Sequence, residues 1–142
     1  MGGATALYDA IGYAIHKIDS VQRHTHRNHR AEKVMMVIIT DGYENSSREY
    51  SLPRIKSMIT AKEEAGWEFV FLGANIDAAE VAGEFGISAD RAVDYVPDAA
   101  GTRLNFDTIA VAQMAYRTHG AVPTATFAPI REDMAARGKK HC

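Results

Sequence analysis

Seven consecutive residues, Val34, Met35, Met36, Val37, Ile38, Ile39 and Thr40, carry no charge and show no alternation of apolar with polar positions. A run of this length, rich in β-branched residues, is the pattern of a strand covered on both faces, as in a parallel sheet flanked by helices. The segment is expected to be central. Its apolar stretch is far shorter than the ~20 residues needed to span a bilayer, so no membrane association is expected. Parallel strands need crossover connections, and these are usually helices with one apolar face.

Such helices are legible on both sides of the run. Leu7, Ala10, Ile11, Ala14, Ile15 and Ile18 recur at three- and four-residue spacing, which marks an amphipathic helix. Thr5 is placed to cap it, and Asp9 lies in the first turn, where the helix dipole favours negative charge. A polar loop is expected over 23–33. Pro53 opens a second helix with a stripe of Ile55, Met58, Ile59 and Ala65, ended by Gly66. A strand is expected over 68–75, a short helix over 77–86 and a weaker strand over 92–96. A last helix is expected from about Asn105 to Arg117, with Phe106, Ile109, Ala110, Met114 and Ala115 at helical spacing. Strands alternating with helices imply an α/β layer fold with right-handed crossovers. The C-terminal part, 121–142, reads as a loosely held extension, within which TATFA (124–128) is the one stretch with strand character.

With 142 residues, one domain is expected. Hydrophobic residues make up 46% and charged residues 24%, which sets the chain apart from disordered sequences. The net charge is −2. A short segment, 16–33, carries five basic against two acidic groups, whereas residues 34–130 carry seven basic against thirteen acidic groups. That balance disfavours nucleic acid as a partner. Cys142 is the sole cysteine, so no intrachain disulfide forms, and with no targeting segment in view a cytoplasmic location is expected.

Ligands of open parallel sheets bind beyond the carboxyl ends of the strands. Asp41 and Gly42 follow the first strand there, and Asn75 and Asp77 follow the second. Thr5, at a helix N-terminus, falls on the same rim if that helix runs back to feed the strand. Each of these residues also has a plainer role: Thr5 and Asp77 as helix caps, Asp41 with Gly42 as a turn. His24, His26 and His29 lie among arginines that repel cations and lack a helical ligand spacing, so a solvated loop is the simpler reading.

GGATALYDAIGYAI and VMMVIITDGYENSS resemble two motif-bearing segments of the von Willebrand factor type A (vWA) family, and GWEFVFLGANIDAAEVAGEFGI is similar to its bacterial and phage members. The resemblance covers roughly residues 2–120 and implies a Rossmann-like three-layer fold, a mostly parallel sheet with helices on both faces. It implies a partial vWA domain over 1–120, N-terminally truncated, because no Asp-x-Ser-x-Ser segment is found in the sequence. In that family a magnesium or manganese ion is held by side chains of three loops at a metal-ion-dependent adhesion site. By position, Thr5 and Asp41 correspond to two of those ligands, so Mg2+ or Mn2+ binding is expected to be weak.

The resemblance implies a non-catalytic module that recognises another protein through an acidic side chain, with Gly42, Tyr43, Glu44 and Asn45 forming the partner-binding rim. Without a neighbouring strand, 34–40 becomes an open edge. A preceding segment, a homodimer partner or the TATFA stretch is then required to cover it. The rival reading is a small magnesium-dependent phosphoryl-transfer enzyme using Asp41 and Asp77. Against it, lysine and arginine are lacking at the strand ends apart from Arg48, and charge on transferring oxygens needs such groups. A degenerate domain without activity is the third reading.

Overall fold

The computed structural model describes residues 6–25, 34–42 and 49–138. The expected α/β alternation is present: α1 (Leu7–Arg23), β1 (Met35–Asp41), α2 (Leu52–Glu64), β2 (Glu68–Ala74), α3 (Ala78–Glu84), β3 (Ala92–Asp94), α4 (Ala99–His119) and α5 (Ala128–Arg137). Short 3-10 turns cover Ala89–Arg91 and Thr124–Phe127. No described helix is long and apolar enough to cross a membrane.

The three strands form one parallel sheet in the order β1-β2-β3. β2, not β1, is therefore the middle strand, and it is buried from Phe69 to Ala74. β1 pairs with β2 along its whole length, Met35 opposite Glu68 through Asp41 opposite Ala74, and no described strand lies on its other side. Its two faces consequently differ. Met36, Ile38 and Thr40 are buried, Met35 and Val37 are half-buried, and Ile39 is 44% exposed.

The sheet separates two apolar cores. On one side Met36, Ile38, Phe69, Phe71 and Ala92 meet residues of α1, α2 and α3, among them Tyr8, Ile15, Ile55, Ile59 and Ala82, and Phe85 just after α3. On the other, Val70, Leu72, Val93 and Tyr95 meet α4, α5 and the segment between them through Ala112, Tyr116, Val122, Phe127 and Ile130. Helices thus cover both faces, as the period-two alternation of strand side chains requires. Asp19 of α1 and Lys62 of α2 form an ion pair at 2.6 Å.

Local sequence explains most boundaries. Ser51 caps α2 by accepting from the Arg54 N–H, and Gly66, at φ 100°, takes the left-handed turn that ends it. Asp77 caps α3 and Asp98 caps α4, each side chain accepting a backbone N–H three residues on. α1 departs from expectation at its start. Its N-cap position is Ala6, with no side-chain cap, and Thr5 lies outside the described residues.

Three further expectations are corrected. α4 begins at Ala99, six residues early, because Asp98 caps it there. Its inner face is Gly101, Asn105, Thr108, Ala112 and Tyr116, whereas Phe106 and Met114 are 63% and 68% exposed. The residues 121–138 are packed rather than loosely held, with Val122, Phe127 and Ile130 almost fully buried. TATFA is a 3-10 turn running into α5, not a strand, and so does not cover the β1 edge.

Candidate functional site

The carboxyl ends of the parallel strands bring Asp41, Asn75 and Tyr95 together. Asp41 closes β1 and is exposed. Gly42 follows at φ 101°, its N–H donating to the Ala74 carbonyl at 2.8 Å, so the ladder with β2 extends one residue into the rim. The Thr40 hydroxyl donates to the Gly42 carbonyl at 2.6 Å. Asn75, directly after β2, is the one non-glycine residue with positive φ (60°) among the described residues, a conformation asparagine tolerates better than most. It turns its side-chain amide onto the Asp41 carboxylate, to which Nδ2 donates. Tyr95 lies below the rim. Burial raises its phenol pKa first, and the Asp41 charge raises it further.

The other acidic groups at the rim are engaged by backbone. The Asp77 carboxylate accepts the Glu80 N–H at 3.1 Å, and the Asp94 carboxylate accepts the Ala78 N–H at 2.9 Å. Both hold the start of α3. A depression of about 310 Å³ lies beside them, lined by Asn75, Ile76, Asp94, Tyr95, Val96, Pro97, Met134 and Gly138. Among the described residues no three His, Cys, Asp or Glu side chains converge as a metal would require. Asp41 is exposed at the rim, and the Asn75 group that faces it is the amide N–H donor rather than a second oxygen.

Of the residues singled out in the sequence, Asp41 and Gly42 stand on the rim together. Thr5, Tyr43, Glu44 and Asn45 lie outside the described residues, as do His26 and His29. His24 turns its ring Nδ1 to the Ser20 carbonyl at 2.7 Å, which is local helix-end bonding.

A second cluster, which the sequence reading did not single out, ties α1 to the chain that returns from this rim. Asp9 Oδ1 accepts the backbone N–H groups of Glu49 and Tyr50, at 3.0 and 2.9 Å. The Tyr13 hydroxyl donates to the Glu49 carboxylate. Tyr50 bonds His16 Nδ1 through its hydroxyl at 3.0 Å, meets Tyr13 edge-on, and carries the Arg54 guanidinium 4.6 Å above its ring. Asp9, Gly12, Tyr13 and His16 recur at three- and four-residue spacing on α1, so one polar stripe of that helix performs the clamping. The stripe itself was the available signal. Its partners, about forty residues away in sequence, carried none.

No family model, curated protein or solved structure matches this chain.

Proposed function

We infer that the chain is a protein-binding module of the vWA kind, non-catalytic, with a Rossmann-like layered fold and part of a metal-ion-dependent adhesion site. The observation that carries this reading is the exposed Asp41 carboxylate at the carboxyl end of a parallel strand, beside Asn75 and followed by Gly42. The return of that loop is tied to α1 by Asp9. In this reading Asp41 and the Thr5 hydroxyl hold Mg2+ or Mn2+, and water and an acidic side chain of the partner protein complete the shell. Gly42, Tyr43, Glu44 and Asn45 form the contact rim. Two protein ligands of a hard cation that prefers six oxygens imply weak binding, on the order of millimolar.

Isothermal titration with MgCl2 and MnCl2 tests it. Weak, saturable heat that disappears in Asp41→Ala supports the assignment. Heat unchanged by Asp41→Ala, or none in the wild type, overturns it. In the rival phosphoryl-transfer reading Asp77 must act on substrate, yet its carboxylate is taken up in capping α3. Metal-dependent turnover of a generic phosphate ester, lost in Asp41→Ala, would reverse the ranking.

A further inference from the structure

The outer edge of β1 has a bonding pattern that can be read from the inner one. The ladder to β2 opens with the Glu68 N–H on the Val34 carbonyl and closes with the Gly42 N–H on the Ala74 carbonyl. In a parallel pair the residues that bond one neighbour alternate along the strand, so Val34, Met36, Ile38, Thr40 and Gly42 turn their backbone groups to β2. Met35, Val37, Ile39 and Asp41 turn theirs outward, where no described strand receives them. The side chains of Met35, Val37 and Ile39 are also those of the incompletely covered face, half-buried or exposed. From Met35 to Thr40 the edge has no charge, no proline and no bulge, three of the devices that protect edge strands against pairing.

We propose that this edge pairs with the same edge of a second copy, two antiparallel β1 strands joining about a two-fold axis at Val37. The backbone selects this geometry. A two-fold pairing of identical edges is isologous, and an antiparallel ladder lets residues on one edge exchange both N–H and C=O with their opposites. Centred on Val37, the register sets Val37 against the second copy's Val37 and Met35 against its Ile39. All of these residues have outward backbone groups, so each pair is a fully bonded one. The alternate pairs set Met36 against Ile38 on the already covered face. Every side-chain pair is apolar, and Asp41 falls beyond this stretch. Shifting the centre to Ile38 keeps the bonding parity but brings Asp41 opposite Met35, a charge facing an apolar group. The axis stands perpendicular to the sheet, so the open faces of both copies fall on one side of the seam. The exposed Ile39 of each copy then packs on Met35 of the other. The product is one continuous sheet, with β1 moved from its edge to its middle.

Sedimentation equilibrium of the full chain and hydrogen exchange of backbone amides, both over a wide dilution range, test the proposal. The expected mass is twice 15.5 kDa, with the Met35, Val37 and Ile39 amides protected in the associated form and losing protection on dilution. Ile39→Lys and Val37→Pro, which leave the bonds to β2 in place, should each weaken association about tenfold or more. The pair Met35→Glu with Ile39→Lys in one chain should recover it, since the register sets each new lysine against a new glutamate. A monomer at all concentrations overturns the proposal. So does a dimer in which those three amides exchange freely, or one that withstands Ile39→Lys, since its interface then lies elsewhere. The exchange measurement on the wild type decides the matter even where a variant does not fold.

Discussion

Gly12 on α1 lies so close to Tyr50 that a Cβ at position 12 would sit 2.5 Å from the tyrosine ring. The ring is nearly buried and held from other sides by Tyr13, His16 and Arg54, so it has little room to withdraw. The approach of α1 to the chain returning from the rim is thus set by a missing side chain. Gly12→Ala pits helix propensity, which favours alanine by about 1 kcal/mol, against overpacking, which costs about 1–3 kcal/mol. Overpacking is expected to win, lowering the urea midpoint, and a raised midpoint would show that the tyrosine yields.

Asp9 is expected to matter more than a helix-end charge does. Its carboxylate oxygen receives two backbone N–H groups, and Asp9→Ala leaves both without that acceptor. A loss of about 1–3 kcal/mol is expected, together with faster amide exchange at Glu49 and Tyr50. Asp9→Asn keeps an acceptor oxygen and should recover part of the loss.

Tyr13 titrates late. Its hydrogen bond to Glu49 pushes the phenol pKa up to about 12, with burial and the charges of Glu49 and Asp9 adding to the effect. A folded-state pKa above the unfolded value means that the folded chain holds the proton more tightly. The associated stabilisation is complete below pH 10 and disappears as pH rises from there through about 12. Ultraviolet titration should show a late tyrosine that moves toward 10 in Glu49→Gln, while Tyr95 and Tyr116, whose phenol pKa values burial raises, are unaffected by that substitution.

The faces of α4 and the packing of the C-terminal segment can be checked with two phenylalanines. Phe127 is fully buried in the second core, and Phe106 is 63% exposed. Phe127→Ala should cost about 3–5 kcal/mol by chemical denaturation. Phe106→Ala should change stability by no more than about 0.5 kcal/mol. Comparable losses at the two positions would contradict the observed orientation of α4.

The strands were readable because β1 and β2 are short apolar segments of the kind a layered parallel sheet requires, and α1 because its inner face is a regular aliphatic stripe. α4 misled for a physical reason. Near its start a Cβ on Gly101 would lie 1.8 Å from the Val96 carbonyl oxygen, so the inner face there needs glycine. Further along it uses Asn105, Thr108 and Ala112, and a count of apolar periodicity therefore selected the outer face. The rim shows the same limit. Asp41 after an apolar strand could be picked out by position, but the turn of Asn75 onto it depends on a backbone conformation that composition does not encode. The placement of 121–138 was missed because Val122, Phe127 and Ile130 are too widely spaced to form a periodic signal, and each is buried singly against α4 and the sheet.

The parallel register of β1 with β2 has a consequence for biosynthesis. Thirty-three positions separate Met35 from its partner Glu68, and α2 must be made before the two can meet. While the ribosome extends that crossover, the nascent Met35–Thr40 stretch has not yet met β2, and unpaired apolar strands in that state are adhesive. α1, already emerged, is at hand to shield it through Ile11 and Ile15. The yield of folded chain should therefore depend on how fast that first helix docks, a kinetic demand set by the order of the segments.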